Sequence, residues 1–492
     1  MKKINIFGWI LVLLMSTVSC TKQLDINVNP SYMGDASVDM LLPSTIAWSA
    51  SRLGSDLELI GSMWSQHYTQ NNNASQYKTI DSYNLTKADY NAVWSSMWSG
   101  AMMDCQVGIQ KATTANQWNY YMIFSLIKVF DCHILNDFYG SIPYTEALLA
   151  QSGNFQPKWD DSKAVNNALI AEIDNILTKS AQAIAIPNTI TTKDYIFGGD
   201  ILKWIQFANT LKLKILMRDF TANLTKIQAL LNAPAGTLLT TDATLGVFKD
   251  VINNSNPLYE NDRRKLNTAT NITGSKTLIN YLLANNDPRL SAFYELNNAK
   301  PQRYNGLAQG DFALTGYKID SISRAKLAAT DPVYFISAAE TQFLQAEAWA
   351  RIGDGAKAKT NYEAGVRLAF TRWGMDATPF LAVGGKYEFN LAVLTTADLK
   401  IEKIITQKWV AACRCQAWDS FFDQNRTGYP ALSAVPITDL TYKVGQLTVS
   451  VNTTLVTGEI PRRLPYPKNS SDFNTNTPLV VPINTKMWWH KQ

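Results

Sequence analysis

The chain has 492 residues, with 45 Lys and Arg against 40 Asp and Glu and a formal net charge of +5. Hydrophobic residues make up 46% and aromatics 11%, enough to fill two or more cores. The charge is too weak and scattered for a nucleic-acid interface, and 3 His beside 21 Tyr and 14 Trp leave little imidazole for metal chemistry.

The N-terminus reads as a secretion leader over 1–19. Lys2 and Lys3 form its basic end, Ile4 to Met15 its apolar stretch, and Ser16, Thr17 and Ser19 lead to Cys20. A Cys after small residues at the cleavage position is the bacterial lipoprotein arrangement, so Cys20 is the expected lipidation site. Two or more acyl chains, at about 0.8 kcal/mol per buried CH₂, would hold the chain on a membrane. Residues 20–37 read as a polar tether. Cys105, Cys132, Cys413 and Cys415 show no disulfide or metal spacing and are expected to be buried apolar thiols.

Helical periodicity runs from Val38 to about Ser65, from Lys87 to Lys111 and from Gln117 to Phe138. Between the first two, Gln66 to Tyr77 is amide-rich and aperiodic, and reads as an exposed loop. After Asn136, Gly140 and Pro143 turn the chain into an extended exit. Further helices are expected over Asp160–Ser180 and Asp194–Phe220. Asp200 is placed to cap the second, and Lys212, Lys214 and Arg218 to complement its dipole.

From 223 to 331 Asn, Thr, Gly and Pro rise, and the segment reads as an irregular lobe. Ser337 to Phe370 is a helical hairpin about Gly353-Asp354-Gly355. Ala339, Phe343, Ala346 and Ala350 make one stripe; Ala358, Tyr362, Gly365 and Ala369 make the other. This small-and-aromatic spacing is the tetratricopeptide pattern, and one such hairpin needs flanking pairs to cover its faces. Leu399 to Phe422 reads as a further helix. Beyond 426 the chain is irregular, with a short strand over Gln446–Val451. The expected fold is mainly α: tetratricopeptide-like hairpins forming a scaffold, a loop-rich lobe and a few short strands.

Three segments carry aromatics among amides and Arg, the chemistry that suits sugar C–H faces and hydroxyls. The first supplies Trp64, His67, Tyr68, Asn72, Gln76 and Tyr77. The second supplies Tyr259 and Arg263, the third Arg303 and Tyr304. Phosphate-loop, serine-hydrolase and dinucleotide motifs are missing, so no cofactor, metal or catalytic residue is assigned. Asp137 is expected to cap a helix or pair with a cation.

Five blocks carry a resemblance. Asn136 to Leu148, Gly199 to Arg218, Ala339 to Asp354, Gln407 to Pro430 and Pro461 to Pro467 resemble, in order, those of SusD/RagB-type lipoproteins of Bacteroidetes, in the SusD-like subgroup. Gln416 stands where the fourth block usually has an acid. The resemblance implies one SusD-like domain over 38–492, with helical repeats about 38–222 and 332–425 and the lobe about 223–331 and 426–492. It implies a non-enzymatic, lipid-anchored, cell-surface nutrient-binding subunit. That subunit would deliver oligosaccharide to a SusC-like TonB-dependent transporter in the outer membrane. A peptide-binding lid of the same transporter and a secreted hydrolase are the rival readings.

Overall fold

The computed structural model describes residues 35–491 except 267–269, 316–317 and 457. The leader, Cys20 and most of the tether lie outside the described residues. Residues Val38–Gln492 form one compact unit. Its principal helices are α1 (Val38–Arg52), α2 (Glu58–Trp64), α3 (Met103–Thr114), α4 (Trp118–Tyr139), α5 (Ser162–Leu177), α6 (Ile201–Leu216), α7 (Leu224–Leu231), α8 (Lys276–Ala284), α9 (Ala338–Ile352), α10 (Gly355–Thr371), α11 (Ala397–Ala412) and α12 (Ala417–Thr427). The strands are β1 (Tyr68–Gln70), β2 (Ala243–Leu245), β3 (Ile272–Gly274) and β4 (Val333–Ile336). They pair antiparallel as β1–β3, Tyr68 opposite Gly274, and β2–β4, Ala243 opposite Ile336.

The α9–α10 hairpin forms as its spacing predicts. Both four-residue stripes are buried. A Cβ on Gly365 would lie 2.9 Å from the Phe343 ring, so only glycine allows that approach. Gly353 at φ 98° ends α9, and Asp354 caps α10 by accepting from Lys357 N at 2.9 Å. Ser337 caps α9, accepting from Glu340 N at 3.2 Å. Asp200 caps α6 as expected, and the four Cys named above are free and buried.

Four local expectations are corrected. The first helical run contains a π-helical stretch, Leu53–Leu57, between α1 and α2. The run after Lys87 likewise holds a π stretch, Ser96–Met102, before α3. Leu399–Phe422 is two helices, because Arg414 adopts φ 58° between α11 and α12. The break lets Arg414 fork onto Asp331, at 2.8 and 2.6 Å. It also leaves the Ala417 N–H free to donate to Glu58 Oε2, at 2.9 Å. Gln446–Val451 forms no strand; Leu447 makes only an isolated bridge to Leu432.

A buried ionic core joins the helices. Lys214 of α6 meets Glu340 of α9 at 2.6 Å and Asp419 of α12 at 2.7 Å. Lys408 of α11 meets Asp419 and Asp423, at 2.6 and 2.7 Å. Arg426 forks onto Glu347, at 2.5 and 2.6 Å, and also reaches Asp423 at 2.7 Å. Burial opposes ionisation of Glu347, but Arg426 and Arg351 outweigh it and hold the carboxyl below its usual range. Arg218 pairs with Asp137 through Nε at 2.9 Å. Lys214 and Arg218 are therefore not solvated dipole partners: both are buried and spent on this core. Gln416 offers Glu340 an amide donor at 2.8 Å; an acid there would add a charge that the core does not balance.

Candidate functional site

Two π-helical stretches face one region. Leu53–Leu57 arises where Gly54 presses on β4: a Cβ there would lie 2.3 Å from Val333 Cγ2. The second, Glu260–Lys265, follows the short helix Pro257–Tyr259, which Asn256 caps by accepting from Leu258 N and Tyr259 N at 3.0 and 3.2 Å. Such widened turns shift side chains out of the regular helical register, and they recur at functional sites.

Between them lies a cleft of about 410 Å³, bounded by Arg52, Phe248, Asn254, Glu260 and their neighbours. It adjoins a second space of about 250 Å³, bounded by Asp56, Leu59, Tyr77 and Leu266. Ser55, Asn261 and Lys265 border both, so the two adjoining spaces form one candidate site, the Tyr77 cleft, with Tyr77 on the wall of the smaller space and Phe248 on that of the larger. The cleft size is that of a small-ligand site. Arg52 donates to Asp56 at 3.0 Å and Lys265 to Asn261 at 3.4 Å, while Ser255 donates to Glu260. The walls thus present an aromatic ring, amides and balanced charge.

Tyr77 is fixed at this site through its hydroxyl, which donates to Asp262 Oδ1 at 3.1 Å. Arg263 grips Asp262 at 2.5 Å and donates to Ala325 O at 2.9 Å. Burial raises the Asp262 pKa, and Arg263 and Tyr77 oppose that rise. Burial, with Asp262 beside it, raises the Tyr77 phenol. Two of the three sequence segments therefore converge, one through Tyr77 and one through Arg263. Arg263 acts as a brace and does not line the cleft. Tyr259 is half-buried beneath the Arg264 guanidinium, 5.4 Å from its ring centre.

The first part of the segment that holds Tyr77 is corrected: it is not an exposed loop, and Trp64, His67 and Tyr68 are core residues, while Asn73, Ser75 and Gln76 are exposed as expected. Trp64 packs 5.0 Å from the Phe421 ring and donates to Ile80 O at 3.1 Å. His67 donates from Nε2 to Trp409 O at 3.0 Å, and burial lowers its pKa to about 3. Tyr68 lies in β1, edge-on to Tyr294. The amides that suggested a wet loop instead serve backbone inside the fold. Gln66 accepts from Thr277 and from Thr448 N, at 2.7 and 3.0 Å. Gln70 accepts from Tyr77 N at 2.7 Å. Asn72 donates to Leu314 O at 3.0 Å; Gln76 is exposed. Arg303 is exposed and Tyr304 half-buried, and neither borders the cleft. Periodicity missed Arg52, Ser55 and Asp56 because they lie in an otherwise regular helical run. The polar Gly54-Ser55-Asp56 interruption was the available signal.

The family model described as "SusD-like_2: Starch-binding associating with outer membrane" matches residues 34–467. Among solved structures, a SusD homolog from Bacteroides uniformis ATCC 8492 is similar at 26% identity, covering 92% of this chain and 99% of that one, with a TM-score of 0.75. A SusD homolog from Bacteroides vulgatus ATCC 8482 is similar at 22%, covering 92% and 97%, with a TM-score of 0.72. A chitin-binding SusD homolog from Flavobacterium johnsoniae is similar at 20%, covering 91% and 97%, with a TM-score of 0.73. No curated protein sequence matches the chain.

Proposed function

Because the chain belongs to the SusD-like family, a family of outer-membrane-associated binding proteins, we propose that it captures an oligosaccharide in the Tyr77 cleft. We further propose that it is lipid-anchored through Cys20 and passes its cargo to a SusC-like TonB-dependent transporter, without catalysis. The observation that carries the binding reading is the cleft wall. Tyr77 and Phe248 offer ring faces, Asn254 and Asn261 offer amides, and Arg52 and Lys265 offer donors. Sugars present the matching surfaces, apolar C–H faces edged by hydroxyls. The Tyr77–Asp262–Arg263 chain holds the Tyr77 ring in place within the fold, so little ordering cost falls on binding.

Calorimetric titration of the mature chain with maltoheptaose and chitohexaose tests the reading. Saturable binding of either sugar, weakened when Tyr77 is replaced by Ala, supports it. Binding of extended peptides with neither sugar bound would transfer the cleft to the peptide-lid reading. Cleavage of a sugar abolished by one carboxylate change would overturn the non-catalytic reading.

A further inference from the structure

A second groove shares no residue with the Tyr77 cleft. It measures about 500 Å³ and is bounded by Trp94, Trp98, Leu148, Phe155, Phe473 and their neighbours. None of its lining residues is charged. Phe155 and Phe473 are 74% and 78% exposed, large apolar faces held in water at a cost. Beneath them the wall is firm. Trp94 stacks on Trp159 with ring centres 5.2 Å apart and planes 5° from parallel, and Trp98 lies 5.6 Å from Trp94.

The other wall, helix Lys468–Phe473, is pinned at both ends. Asn469 N donates to Asn91 Oδ1 at 3.1 Å, and Asn474 Nδ2 donates to Pro157 O at 2.8 Å. Leu148 adopts φ 63°, a left-handed backbone state that L side chains rarely take. The surroundings hold this strained residue at the groove's edge.

We propose that this groove is a second carbohydrate subsite, taking an uncharged sugar ring whose C–H face lies against Phe155 and Phe473. The uncharged lining offers no cationic side chain to pair with a phosphorylated or acidic ligand. The volume falls within the small-ligand range. The rim is Ser95, Ser99, Asn469, Ser470 and Asn474, which suits hydroxyls better than an apolar peptide does. The inference rests on the sugar-binding reading and adds a second point of contact for a long chain.

The test is calorimetric titration of maltoheptaose and chitohexaose into the mature chain, its Phe155→Ala/Phe473→Ala variant and its Tyr77→Ala variant. Both Phe side chains are exposed, so the double variant is expected to keep its Tm. Expected is loss of one binding event, or an affinity at least fivefold weaker for one of the sugars, with Tyr77→Ala retaining binding at the groove. Identical isotherms for the double variant and the parent would overturn this inference alone. No binding of either sugar to the parent would overturn the functional reading and this inference together. Unchanged sugar binding with lost co-purification of a β-barrel partner would reassign the groove to protein docking.

Discussion

The hydroxyl of Tyr77 donates to Asp262 across 185 residues of chain, and this bond joins the first helical region to the irregular lobe at the cleft. Tyr77→Phe keeps the ring and removes the bond, leaving Asp262 to Arg263. Stability should fall by about 1 kcal/mol. Tyr77→Ala also removes a cleft wall, so affinity for the bound oligosaccharide should fall about tenfold or more, roughly 1.4 kcal/mol. Titration calorimetry beside thermal unfolding separates the two effects; equal affinity for Tyr77→Ala and the parent would exclude the cleft.

Trp64 behaves differently. Its indole is buried against Phe421, so Trp64→Ala should cost about 3–5 kcal/mol of stability. Affinity per folded molecule should stay unchanged. Denaturant unfolding measures the first and calorimetry corrected for active fraction the second. A tenfold affinity loss at unchanged stability would return Trp64 to the site.

Glu58 sets a pH dependence. Burial raises its pKa from 4.5 to about 8, against the opposing hydrogen bond from Ala417 N. Folding therefore holds a proton that the unfolded chain releases. This contribution is complete below pH 4.5 and is lost as pH rises to about 8. Asp131, raised by burial to about 7, and Asp81, raised by burial to about 6, act in the same direction. His67, lowered by burial from 6.5 to about 3, acts oppositely: stability is lost as pH falls below 6.5. Glu58→Gln removes one alkaline-side loss, so the variant's Tm should decline less steeply than the parent's between pH 5 and 8. Parallel Tm curves would refute the assignment.

Glu347 and Arg426 test the ionic core. Glu347→Gln leaves Arg426 with only Asp423 and should cost about 3–5 kcal/mol. The double change Glu347→Leu/Arg426→Met removes both buried charges and should recover most of that loss. Urea unfolding of the two variants gives the comparison; equal losses would mean the pair is not coupled.

At the membrane, Cys20→Ala should abolish incorporation of labelled fatty acid and move the protein from the membrane fraction to the soluble one. Retention on the membrane without acylation would remove Cys20 as the anchor.

Local signals carried the scaffold well. The α9–α10 hairpin, the Asp200 cap and the α4 stop at Gly140 each depend on spacing within one segment, and each appears in the structure. The site was legible only in part, because its pieces meet through space. Tyr77 and Arg263 were both readable as candidates, but nothing local links them to Asp262. The amides of Gln66 and Gln70 resemble those of a wet loop until their partners are known, and those partners lie on other segments. Lys214 and Arg218 failed for the same reason: their position suits a helix dipole, while distant carboxylates decide their burial.

The ionic core also dictates when folding can finish. Lys214 is synthesised 126 residues before Glu340, and Asp419 comes later still. Until Ala417–Thr427 has emerged, Lys214 has Glu340 but lacks Asp419, Lys408 lacks both Asp419 and Asp423, and neither ammonium group leaves water cheaply. The segment Ala417–Thr427 is therefore the late-arriving bolt that locks α6, α9 and α11 together.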